Sequence, residues 1–93
     1  MNITDIKIFI RPAEPLKGFA NIVIDDAFIV KNIKIIEGKN GLFIAMPSQK
    51  GRNGEYRDIA HPLNTETRTA IEKLVLDAYE YALANPETAQ EDE

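Results

Sequence analysis

The chain reads as an α+β domain, an antiparallel β-meander of four to five strands with one long C-terminal helix packed on it. Three observations predict this. Apolar, mostly β-branched residues alternate with polar ones through the first half of the chain. Short turn-forming links separate those runs, and the one long stretch with a helical period begins after Asn64.

The first strand runs from about Ile3 to Ile10, where Ile6, Ile8 and Ile10 alternate with Asp5, Lys7 and Phe9 in the period-two pattern of a half-buried strand. Pro12 and Pro15 cannot donate to a ladder and mark a loop. A second strand follows from Leu16 to Ile24, with Ala20, Ile22 and Ile24 on one face. Asp25-Asp26 is a polar hairpin link. The third strand, Ala27 to Ile36, is the longest and least polar. Gly38-Lys39-Asn40-Gly41 supplies residues that tolerate positive φ, so Leu42 to Met46 returns as a fourth strand and ends at Pro47. Tyr56 to Ala60 offers a short fifth strand before His61-Pro62 breaks it.

Asn64 is placed as an N-cap, Glu66 sits in the first turn, and the helix runs from Thr65 to about Ala84, where Asn85-Pro86 stops it. Arg68, Glu72, Lys73, Asp77 and Glu80 fall within one half of the helical wheel, about 180°, and apolar residues occupy the other half and part of this one. That apolar face is too wide for one sheet contact, which predicts a homodimer. Residues 1–84 thus form a single domain. Residues 85–93, with no apolar period and acids at the end, are expected to be a disordered acidic tail.

Bulk properties narrow the function. The 93 residues are 44% hydrophobic and 28% charged, the composition of one ordinary domain. The absence of cysteine excludes disulfides and cysteine-ligated metal, and it suits a reducing cytoplasm. No apolar run approaches the ~18 residues of a membrane span, and the start lacks a signal-peptide pattern, so no membrane insertion is expected. The formal net charge of -4 hides an uneven distribution. Residues 64–93 hold two basic against eight acidic side chains, whereas residues 31–57 hold six against two.

Candidate chemistry is sparse. The single His61 has no cysteine partner and no serine in a nucleophile context, and Asp58 three residues away fits a turn better than a catalytic pair. Asp25-Asp26 is better explained as a hairpin turn than as a metal site, since adjacent carboxylates in a strand would point to opposite faces and no third ligand lies nearby. The glycines match no phosphate-cradle motif. Tyr79 and Tyr81 lie among leucines and read as packing residues. No catalytic residue, cofactor or metal is expected. What remains is the loop Ser48 to Arg57, glycine-punctuated and basic. Lys50, Arg52 and Arg57 would meet phosphates, the N–H groups of Gly51 and Gly54 could approach them, and Asn53 or Gln49 could touch base edges. Composition alone leaves this loop equally well explained as a solvated turn.

The loop and its flanks, Gly41-Leu42-Phe43-Ile44-Ala45-Met46-Pro47-Ser48 and Gly54-Glu55-Tyr56-Arg57-Asp58-Ile59-Ala60-His61-Pro62-Leu63-Asn64, resemble the SpoVG family, the stage V sporulation protein G or septation regulators of bacteria. The likeness extends from Thr4-Asp5 through Ile36-Glu37-Gly38 to Thr67-Arg68, leaving the acidic tail unmatched. It implies a dimeric cytoplasmic regulator with roles in septation and sporulation that binds DNA and RNA. By position it also implies contacts at Lys50 and Arg57, with Lys31 and Lys34 as weaker candidates. Gln49-Lys50 stands where the family usually has two basic residues, and Arg52 where it usually has proline, so affinity should carry over more safely than sequence preference. The resemblance favours a nucleic-acid-binding arm. The other reading is a protein–protein interaction module of the cell-division machinery with no direct nucleic-acid contact.

Overall fold

The computed structural model describes residues 2–11 and 13–90. Pro12, one of the two prolines expected to mark the first loop, and the final three acids lie outside the described residues. The chain builds β1 (Ile3–Ile10), β2 (Leu16–Ile24), β3 (Phe28–Gly38) and β4 (Gly41–Ala45) into one antiparallel sheet in sequential order, the expected meander. A 20-residue helix, α1 (Thr65–Ala84), packs against it.

The tight links explain the meander. Asp25 and Asp26 both adopt positive φ, +54° and +52°, and Ala27 N–H donates to Ile24 O at 2.9 Å. That is a primed two-residue turn, whose twist matches the strands it joins. The N-terminal residues clasp it: Asn2 N–H donates to the Asp25 carboxylate at 3.0 Å, and Asp26 N–H donates to Thr4 Oγ1 at 3.0 Å. At the next link Gly41 takes φ +111°, a conformation that favours glycine. Between β1 and β2 the constraint is space, since a Cβ on Gly18 would lie 2.5 Å from Phe9 O.

One face of the sheet is the core. Ala20, Ile33, Ile35, Ile44 and Val75 are fully buried, and Ile8, Ile22, Met46, Ile71 and Tyr79 nearly so. Burying each of the larger side chains contributes about 1.5–3 kcal/mol. β3 is too uniformly apolar for simple alternation to choose its inner residues. A bulge decides: Ala20 pairs with Ile33 but Ile22 with Val30, so Lys31 and Asn32 together oppose Asn21, and Asn32 adopts φ +66°. The extra residue brings Val30, Ile33 and Ile35 to the core and turns Ile29 and Ile36 outward.

Asn64 caps α1 as expected, its Oδ1 accepting from Thr67 N–H at 2.7 Å. Part of the polar sector of α1 closes the outer edge of β4. Ile44 N–H donates to the Glu72 carboxylate and Arg68 donates to Ile44 O, both at 3.3 Å. The apolar sector is indeed wider than the sheet can cover, for Leu74, Tyr81 and Leu83 stay 43%, 61% and 50% exposed.

Beyond α1 the described part of the acidic tail, residues 85–90, follows the sheet edge. Pro86–Thr88 forms a short 3-10 turn, Ala89 packs against the core, and Gln90 N–H donates to Ile8 O on the outer edge of β1 at 2.8 Å. An unpaired strand edge and an apolar contact hold this part of the segment, which composition alone does not reveal.

Candidate nucleic-acid interface

After Pro47 the chain leaves the sheet and forms a separate ribbon. β5 (Ser48–Lys50) pairs antiparallel with β6 (Tyr56–Asp58), setting Ser48 opposite Asp58, Gln49 opposite Arg57 and Lys50 opposite Tyr56. Ile59 N–H donates to Pro47 O at 2.7 Å and ties the foot of the hairpin. The short fifth strand expected in this region thus pairs within the basic segment and not with the meander.

The turn uses its own polar groups. Gly51 N–H donates to Glu55 O at 2.7 Å, Gly54 N–H donates to Gly51 O at 3.1 Å, and Asn53 Oδ1 accepts from Glu55 N–H at 3.1 Å. Gly54 sits at φ +85°, which favours glycine. The amides of Gly51 and Gly54 and one lone pair of the Asn53 side-chain oxygen are thus engaged inside the turn, because a turn with little else to pack on must satisfy its own backbone, while the Asn53 amide N–H groups stay exposed.

Lys50, Arg52 and Arg57 are exposed, and none makes an ion pair among the described residues. They do not form one cluster. Strand alternation sends Gln49 and Arg57 to one side of the ribbon and Lys50 with Tyr56 to the other, while Arg52 rides on the turn. An open concavity of about 420 Å³ nevertheless touches Gln49, Lys50, Arg52 and Arg57. Glu55 and Asp58 reduce the ribbon's charge to a net +1.

Lys31 and Lys34 lie elsewhere, on the sheet face turned away from α1. The bulge at Lys31 and Asn32 places both residues outward, with Asn32 N–H donating to Asn21 Oδ1 at 3.1 Å. The register lines up Phe9, Phe19, Lys34 and Ala45 in a row across all four strands of this open face. The Arg11 guanidinium stands 5.5 Å from the centre of the Phe19 ring, a cation–π distance. At the junction with the hairpin a depression of about 390 Å³ is lined by Phe19, Asn32, Lys34, Pro47, Ser48 and Ile59. Lys34 therefore adjoins the ribbon, and Lys31 lies off this depression. Phe9 and Phe19 do not stand out in a search for charge. Their signal is phase: each is an aromatic side chain at the strand position that should be polar.

The other titratable groups add little here. Lys17 is held by Glu14 at 2.9 Å and Glu37 at 3.1 Å, and its hydrogen bonds to those carboxylates raise its pKa above the ordinary lysine value. His61 is exposed, with Nδ1 2.9 Å from Pro62 O. Asp25 and Asp26 are turn residues. Of the two helical tyrosines, Tyr79 packs in the core as expected and Tyr81 does not.

A profile of the SpoVG family matches residues 1–81. The chain belongs to the SpoVG family. A Lachnospira eligens protein named "Putative septation protein SpoVG" is 55% identical over 83 residues, 88% of this chain and 94% of that protein. Its namesake from Phytoplasma australiense is 53% identical over 87 residues, covering 92% of this chain and 91% of its own. A third, from Bdellovibrio bacteriovorus, is 48% identical over 83 residues, covering 89% and 77%. The SpoVG match takes in the sheet, the ribbon and α1 as far as Tyr81, and leaves out the segment that runs to Gln90 on the β1 edge.

Proposed function

We propose that the protein is a regulator associated with septation and, in spore formers, sporulation, acting as a homodimer that binds DNA and RNA through the β5–β6 hairpin. The observation that carries this reading is the ribbon itself, a projecting hairpin whose Lys50, Arg52 and Arg57 are exposed and unpaired among the described residues. Its relatives' name supports the septation role. A residue whose charge is already balanced gives up an ion pair to bind phosphate; these three do not, so they favour phosphate neutralisation and strong salt dependence. The exposed Leu74, Tyr81 and Leu83 support a dimer contact through α1.

Mobility-shift titrations of the Lys50→Glu, Arg52→Glu double variant test the assignment. Binding to duplex DNA and to RNA falls sharply, the slope of log affinity against log salt drops by about two for B-form DNA, and the melting temperature holds. Unchanged binding would sink the hairpin reading. The exposed helix residues also favour a second reading, a protein-interaction module of the division machinery. A pull-down that survives the double variant but is lost in Tyr81→Glu would support it.

A further inference from the structure

We propose that the depression between the open sheet face and the foot of the hairpin holds an unpaired nucleobase stacked on Phe19, so that the strand bound there is single-stranded. This deepens the nucleic-acid reading above by naming the form of the ligand and a second subsite away from the basic turn.

The chemistry of the lining fits a base. Phe19 supplies an aromatic ring in the open face, with Phe9 beside it in the same cross-strand row. Arg11 already stands over that ring at 5.5 Å, and an inserted base extends the same stack. Asn32 and Ser48 put an amide and a hydroxyl at the rim, the groups that pair with base edges. Lys34 lines the depression and Lys31 and Lys7 lie nearby on the same face, and none of the three makes an ion pair among the described residues. Aromatic rings interleaved with lysines track a strand whose bases are splayed out. A duplex keeps its base faces stacked inside and has no use for such a ring.

Charge also argues against a second copy of the chain on this face, since two copies would set Lys7, Lys31 and Lys34 against their own equivalents. Growth of the sheet at its edges is hindered as well. Ile44 is engaged by Arg68 and Glu72, Ile6 N–H donates to the Asp5 carboxylate at 2.9 Å, and Ile8 O accepts from Gln90.

The chain has no tryptophan, so Phe19→Trp gives a single reporter inside the depression. Titrating this variant with oligothymidylate should quench its emission, and an abasic strand of equal length should not. In anisotropy titrations, Phe19→Leu lowers single-strand affinity by about five- to a hundredfold, Phe19→Tyr restores it, and duplex affinity stays put. Lys34→Gln, which leaves the ring untouched, lowers single-strand affinity by a smaller factor. Wild-type affinity in Phe19→Leu, or equal quenching by the abasic strand, overturns the subsite. The hairpin reading still stands in that case if Lys50→Glu, Arg52→Glu weakens binding. Loss of single-strand affinity in the Phe19 variant with normal affinity in the hairpin variant does the reverse. A Phe19→Leu chain that changes its sedimentation but not its affinity assigns the face to a second copy, and a wild-type chain that binds no nucleic acid overturns both proposals.

Discussion

The two faces of the four-stranded sheet are written in alternate residues of the same strands, and they follow different rules. On the covered face Ile8, Ile22, Ile33, Ile35 and Ile44 are at most 4% exposed and touch one another and α1. On the open face Lys7, Phe9, Phe19, Asn21, Lys31 and Lys34 are none of them buried. The comparison teaches that shape decides the first face and charge with aromatic area decides the second. A single-residue slip in any strand would exchange the two, which is why the register is held by turns and a bulge as well as by the core.

The contrast is broken most severely from the covered side. Ile33→Ala removes a fully buried side chain beside Ala20 and should destabilise by about 2–5 kcal/mol in urea titrations, whereas Lys34→Ala next to it should stay within about 0.5 kcal/mol. Comparable losses at both positions would mean that the open face is packed in solution. Gly18→Ala attacks the strands themselves, since its Cβ would meet Phe9 O. We expect about 1–3 kcal/mol of destabilisation and faster amide exchange in β1 than in β3.

Smaller changes sharpen the picture. Asn64→Ala removes the cap on Thr67 N–H and should lower stability by about 1 kcal/mol, measured by thermal melting. Asp26→Gly should raise stability by less than about 1 kcal/mol, because relief of the roughly 1–2 kcal/mol cost of an L residue at φ +52° is partly offset by the roughly 0.5–1 kcal/mol of extra unfolded-chain entropy that glycine brings, while the N–H at position 26 can still donate to Thr4 Oγ1. A fall in melting temperature would show that the Asp26 side chain has a role of its own. The smallest effect is electrostatic. Lys17 has its pKa raised by Glu14 and Glu37, so the stabilisation from its charge is complete at neutral pH and disappears as pH climbs through the raised value. Melting curves of Lys17→Met and the parent should therefore differ slightly at pH 7 and converge in strong alkali.

The covered face is the part most legible in the sequence. Isoleucine at every second position marks β1 and β2, Asp25-Asp26 and Gly38 to Gly41 mark the turns, and Asn64 with Asn85-Pro86 brackets α1. These are local signals, each acting within a few residues. What escapes the sequence depends on pairing over long separations. The bulge at Asn32 exists because β2 sets the phase of β3, and the bonds from Arg68 and Glu72 to Ile44 span 24 and 28 residues. The candidate site is legible in location but not in geometry. Lys50, Arg52 and Arg57 are visible as a basic run. That Gly51, Asn53 and Gly54 spend their hydrogen bonds inside the turn follows only from the Gln49–Arg57 register.

The bond from Gln90 to Ile8 has a practical side. A chain shortened after Ala84 to shed its acidic end would also lose Ala89 from the core and bare the rim of β1. Exposed strand rims recruit other strands, so a cut meant to ease handling would instead invite aggregation, and the safer place to trim is beyond Gln90.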